Sequence, residues 1–160
     1  MAYDAIVNGA KGLAYWGTQN DPEGKAWKGL APVIQELAGL QSFTAAPEKH
    51  PGVRIQQQPS WFSDDRQVVC SARRVGNDWL FIFVNEENNA QEVHVTFPTF
   101  LEGTRLFLLY EDLAVDLVPE SVIDLKFVGY GVKLLSTRRD LEVPELRDLG
   151  REIKDPFPEE

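Results

Sequence analysis

The sequence predicts an α+β protein in two textures: a short helix-strand-helix segment at the N-terminus, then an antiparallel β-sandwich of about seven strands. Three observations carry this expectation. Apolar residues recur at steps of three and four as far as Leu40. From Val53 onward that period gives way to short apolar or alternating runs, and turn signals separate the runs at intervals of roughly 8 to 14 residues. The expected organisation is therefore 1–42 as the helix-strand-helix segment, 43–52 as a linker, 53–138 as the sandwich, and 139–160 as a charged tail.

In the first segment, Tyr3, Ile6 and Val7 lie at helical spacing, and Asn8-Gly9 supplies a stop. Gly12 to Trp16 then reads as an apolar strand without polar alternation, the pattern of a parallel strand covered on both faces. Too little chain precedes it for another strand and a crossover helix, so it either borrows partners from another chain or belongs to a larger fold. Asp21 followed by Pro22 suits an N-cap with proline at the first helical position, and Trp27, Leu30, Val33, Ile34, Leu37 and Leu40 form one apolar stripe behind it. Gly29 and Pro32 weaken the first turns of that helix.

Pro47, Pro51 and Gly52 mark the linker. The expected strands are Val53 to Gln57, Gln67 to Arg73, Trp79 to Asn85, Gln91 to Phe97, Arg105 to Tyr110, Val122 to Phe127 and Gly131 to Ser136. Trp79 to Val84 is apolar throughout and should be central, whereas Val93, Val95 and Phe97 alternate with Glu92, His94 and Thr96, which gives that strand one wet face. From Arg139 charge dominates, and apart from a helical turn around Glu145 to Ile153 the expectation is a tail that is either disordered or docked on a surface outside this chain.

The chain has 160 residues, 43% of them apolar, with 16 basic against 25 acidic side chains and a formal charge of -9. Such a surface repels a phosphate backbone, so nucleic acid is not an expected partner. No apolar run reaches the roughly 18 residues of a membrane helix, so no membrane partner is expected either. The N-terminus has no signal-peptide pattern; the default location is the cytoplasm, with secretion as the alternative if a leader precedes Met1. Cys70 lies in a strand-like run and reads as a small buried hydrophobe. His50 and His94 have no ligand at metal spacing, and no phosphate loop or nucleophile elbow is present, so no metal and no cofactor are expected. Adjacent acids at Asp64-Asp65, Glu86-Glu87 and Glu111-Asp112 fall in turns and read as solvated.

The aromatic residues point towards a ligand. Trp16 ends the presumed parallel strand, and the carboxyl ends of such strands face the ligand crevice of α/β folds. Its indole either offers a flat apolar face to a sugar ring or packs between helices. Trp61-Phe62, beside Pro59, is a second sugar-platform candidate in a loop, while Trp27 and Trp79 read as core.

Tyr3 to Trp16, with its Gly-Ala-x-Gly passage into an apolar strand ending in an aromatic, resembles the last helix-to-strand passage of TIM-barrel glycoside hydrolases of the family 42 β-galactosidase type and related clan A enzymes. Trp27 to Leu40 resembles their final barrel helix. Leu80 to Asn85, Val93 to Phe97 and Tyr130 to Leu135 resemble the small C-terminal β-domain that follows many such barrels. The resemblance covers residues 1 to about 138 and implies a retaining hydrolase with two carboxylates about 5 Å apart, which in the family come from earlier barrel strands. It implies that Trp16 floors the sugar subsite. Asp21 and Glu23 border the same cleft, as hydrogen-bond partners of substrate, as weak catalytic candidates, or simply as helix caps. The implied partners are a carbohydrate and either an upstream barrel chain or a second copy meeting the exposed strand. A stand-alone carbohydrate-binding or interaction module, with the helices packed on the sandwich, is the alternative.

Overall fold

The computed structural model describes residues 2–15, 24–57 and 67–146. Nine strands are formed among them, all paired antiparallel, in two sheets. They are β1 (Glu48–Lys49), β2 (Arg54–Gln57), β3 (Val68–Val75), β4 (Asp78–Asn85), β5 (Gln91–Thr96), β6 (Arg105–Leu108), β7 (Leu113–Asp116), β8 (Val122–Phe127) and β9 (Val132–Ser136). One sheet has the order β1-β3-β4-β9-β6-β7 and the other β2-β5-β8.

All seven expected strands are present within about two residues of their expected ends. The two additional ones are short. β1 lies in the stretch expected to be a linker, where Glu48 and Lys49 pair with Arg73 and Ala72. β7 pairs with β6 at the sheet edge and is largely exposed, so it has no strong apolar pattern.

β4 is central, and its two faces explain its unbroken hydrophobicity. Trp79, Phe81 and Phe83 point into the sandwich against Val93, Val95, Leu125 and Phe127 of the small sheet. Leu80, Ile82 and Val84 point the other way, into a second core. Trp79 stacks on Phe81 at 5.7 Å, and Phe97 meets Phe81 edge-on at 5.0 Å, geometries that suit the ring quadrupoles. On β5, Val93 and Val95 are buried while Glu92 and His94 face solvent, as the alternation predicts.

The second core is a helix layer. α1 (Ala2–Val7) contributes Tyr3 and Ile6, and α3 (Gln41–Thr44) contributes Phe43, beside Leu40. Together they cover the face of the large sheet that carries Leu80, Ile82 and Leu134. Arg73 of β3 is 1% exposed and crosses between these layers. Its guanidinium donates to the carbonyl of Ile6 at 3.3 Å and to that of Ala46 at 3.2 Å, so a buried cation sits at two helix C-termini, where the backbone dipoles favour it. Residues 139–146 also join this layer: Leu141 is buried, Val143 approaches Gly39, and one helical turn covers 144–146.

Three expectations about the N-terminal segment are corrected. Gly12 to Tyr15 pair with no strand and are largely exposed; an apolar run becomes a strand only where a neighbour meets its N–H and C=O groups, and the described residues bring none to it. The second helix, α2 (Lys25–Gly39), starts later than Asp21-Pro22 and is capped by Gly24 in a left-handed conformation, φ 64°, with no capping side chain. Trp27 is 55% exposed and does not belong to the core. The helix itself runs unbroken through Gly29 and Pro32.

Candidate functional site

Trp16, Asp21, Glu23 and Trp61, the four residues singled out from sequence, lie outside the described residues. What the structure places is the surface on either side of the 16–23 stretch: the segment from Ala10 to Tyr15 and helix α2. Between them runs a cleft of about 490 Å³, lined by Leu13, Tyr15, Ile34, Leu37 and the Ala38 and Ala45 methyls.

The local sequence explains how the cleft forms. α1 stops where Gly9 takes φ 95°, and the amides of Gly9 and Ala10 return to the carbonyls of Ile6 and Ala5. Asn8 then donates to the Glu86 carboxylate at 2.9 Å, which ties the helix end to the β4–β5 loop. The chain leaves that anchor along α2 instead of along a sheet. α2 is strongly amphipathic in sequence, yet from Trp27 to Gly39 none of its side chains is buried. Leu13, Tyr15, Trp27 and Ile34 are exposed apolar groups on this one side of the molecule.

A separate cluster of titratable groups is shared by α1, α2, the turn after β6 and the C-terminal segment. Burial, and then the neighbouring Glu36 charge, push the Tyr3 phenol far above its ordinary range. Burial likewise raises the Glu36 carboxyl, partly offset by Tyr3. Tyr110 is raised by burial and held in a left-handed conformation, φ 66°. Its backbone N–H donates to the Glu142 carboxylate at 2.8 Å, and its hydroxyl accepts from the N–H of Val143 at 3.2 Å. This cluster docks the 139–146 segment, and none of its members lines the cleft.

Among the described residues, several exposed carboxylates are engaged with cations: Asp116 with Arg105, Asp140 with Arg138, Glu111 with Lys133 and Asp112 with Arg139. Arg105 holds Asp116, and Arg138 holds Asp140, below the usual carboxylate range, the opposite of what a general acid needs. Among the described residues no three His, Cys, Asp or Glu side chains gather as a metal site. His94 instead contacts Asp124 at 2.6 Å on the wet face of the small sheet. Burial, then Glu48, push the Cys70 thiol well above its ordinary range, which favours the neutral thiol over the thiolate, and the residue is half-buried against the sandwich core.

The sequence drew attention to the aromatic at the end of the apolar run, and the structure draws it to the helix beside that run. The α2 stripe was legible as amphipathic; the exposure of Trp27 and Ile34 within it was not, because periodicity identifies an apolar face without saying what covers it. No known family model and no curated protein matches the chain.

Proposed function

We propose that this chain is the C-terminal portion of a glycoside hydrolase, contributing an aromatic sugar platform and a structural β-domain to a site whose carboxylate pair comes from elsewhere. One observation supports it most: an amphipathic 15-residue helix with none of its described side chains buried, beside an apolar segment with exposed Leu13 and Tyr15. Monomer surfaces rarely expose an apolar stripe of this kind without a use for it. Neighbouring strands and helices of a barrel would cover both features and would bring Trp16 to the rim of a sugar site, with Asp21 and Glu23 beside it. The charge of -9 favours a neutral ligand over an anionic one.

A second observation favours the stand-alone carbohydrate-binding or interaction module. Tyr3, Ile6 and Phe43 share a core with the large sheet, so the N-terminal helices are packed on the sandwich as that alternative requires.

Sedimentation velocity with dye binding separates the two. The hydrolase portion self-associates or binds an apolar dye through the 10–15 and α2 surface; a monomer that binds no dye and unfolds in one cooperative step overturns it. The purified chain hydrolyses no aryl glycoside above background. Turnover abolished by Asp21→Ala or Glu23→Ala would instead make that loop catalytic. Trp16→Ala weakens sugar affinity if the platform is used, and unchanged affinity transfers the role to Trp61.

A further inference from the structure

At one end of the sandwich the chain passes between the two sheets three times: from β1 to β2, from β5 to β6, and from β7 to β8. These crossings enclose a cleft of about 580 Å³, a size that holds a small ligand. Each crossing contributes a proline to its wall, Pro51, Pro98 and Pro119, whose fixed φ stiffens the rim. Two of the crossings are also bonded to each other: Gly103 N–H donates to the Leu117 carbonyl at 2.7 Å, and Leu117 N–H to that of Thr104 at 2.9 Å. The cleft is therefore pre-formed, which lowers the ordering cost of binding.

Arg54 stands in its wall, opposite Thr96 across β2 and β5. Among the described arginines, Arg73, Arg74, Arg105, Arg138 and Arg139 all donate to a partner, and Arg54 alone does not. Two carboxylates without a bonded partner, Glu102 and Glu120, line the same cleft, and Glu120 is held at φ 60°, a conformation disfavoured for a residue with a side chain. With one cation and two anions the cleft carries a net negative charge inside a chain of charge -9, which rejects anionic ligands. Forked donors, carboxylate acceptors and the proline and Phe97 carbons together match a ligand with adjacent hydroxyls on an apolar ring face.

We propose that this cleft is a saccharide-binding site for a neutral sugar, separate from Trp16, with Arg54 donating to vicinal hydroxyls and Glu102 and Glu120 accepting from them. The inference goes beyond the glycosidase reading and holds equally for a stand-alone module.

The test is amide chemical-shift mapping of the whole chain titrated with methyl β-galactoside, lactose and cellobiose, with galacturonate and a Gly-Pro dipeptide as counter-probes. At least one neutral sugar is expected to shift the amides of residues 52–54, 96–102 and 117–121. Arg54→Ala weakens that response about tenfold or more, Arg54→Lys weakens it less, and Glu120→Gln also weakens it, with thermal unfolding unchanged because both side chains are at the surface. Trp16→Ala leaves it intact. Shifts confined to other regions, or a response lost in Trp16→Ala and kept in Arg54→Ala, overturn the cleft while sparing the hydrolase reading. A response to galacturonate or to the dipeptide alone overturns the ligand class.

Discussion

The two layers that flank the large sheet use similar residues to opposite ends. On one side, Phe81, Phe83 and Trp79 meet the small sheet and are sealed by it. On the other, Tyr3, Ile6, Leu40 and Phe43 seal the sheet just as closely, but the layer continues outward into α2, whose stripe is only partly covered: Leu37 packs on the core, Leu30 and Val33 are half-buried, and Trp27 and Ile34 are exposed. A sheet is satisfied by one cover on each face; an amphipathic helix needs a second partner of its own. The contrast teaches that the sandwich and its inner helical cover each bury their apolar faces, whereas α2 leaves Trp27 and Ile34 of its stripe uncovered.

Mutations can break this contrast in order of expected size. Phe81→Ala removes a ring with no exposure and two aromatic neighbours, and should cost about 4 kcal/mol in chemical denaturation. Phe43→Ala should cost about 3 kcal/mol, with the same single transition, if the inner helical cover is as integral as the small sheet. A cost below about 1 kcal/mol, or a separate early transition, would show that the cover is only an attachment. Gly129→Ala puts a methyl 2.1 Å from the Asn88 carbonyl oxygen, a backbone atom that cannot rotate away, and should cost about 2 kcal/mol.

Glu36→Gln tests the polar floor of the helix layer by pH. Burial raises the folded-state carboxyl above its unfolded value, so the folded protein prefers the protonated acid. That preference contributes fully below the ordinary glutamate range and is lost as pH rises through the raised value. Glu36→Gln should therefore unfold at higher temperature than the parent at neutral pH, with the gap closing in acid; a pH-independent gap would contradict the burial. The smallest expected effect is that of Ile34→Lys on α2: little change in the unfolding midpoint, and reduced dye binding and self-association. Loss of the fold would mean that α2 is already covered.

Much of the sandwich was legible in the sequence because its signals are local. The alternation of β5 and the unbroken run of β4 each state how many faces are covered, and the structure agrees. β1 and β7 were not legible. Two polar residues carry no period, and an edge strand with three exposed positions out of four carries little more. Gly12 to Tyr15 failed for the converse reason: composition suited a strand, but pairing is a property of neighbours. The docking of 139–146 was hidden because Leu141 and Leu146 sit singly among charges, and one buried side chain every five residues makes no pattern. The saccharide cleft was hidden for a different reason. Its Arg54, at the start of β2, and Glu102 and Glu120, in two of the crossings, lie far apart in sequence, and Glu102-Gly103 and Pro119-Glu120 read only as turns.

The Arg73 clasp has a consequence for how the chain is made. Its guanidinium joins β3 to the carbonyl of Ile6 across 67 residues, so α1 leaves the ribosome long before its anchor exists. At ribosomal rates that interval is of the order of ten seconds. Throughout it, Tyr3, Ile6 and the α2 stripe are apolar surface with nowhere to go. Synthesis should thus depend on whatever shelters residues 2–40 in that interval, and Arg73→Met, which removes the clasp, should lengthen that dependence and lower the yield of folded chain before it alters anything the mature surface binds.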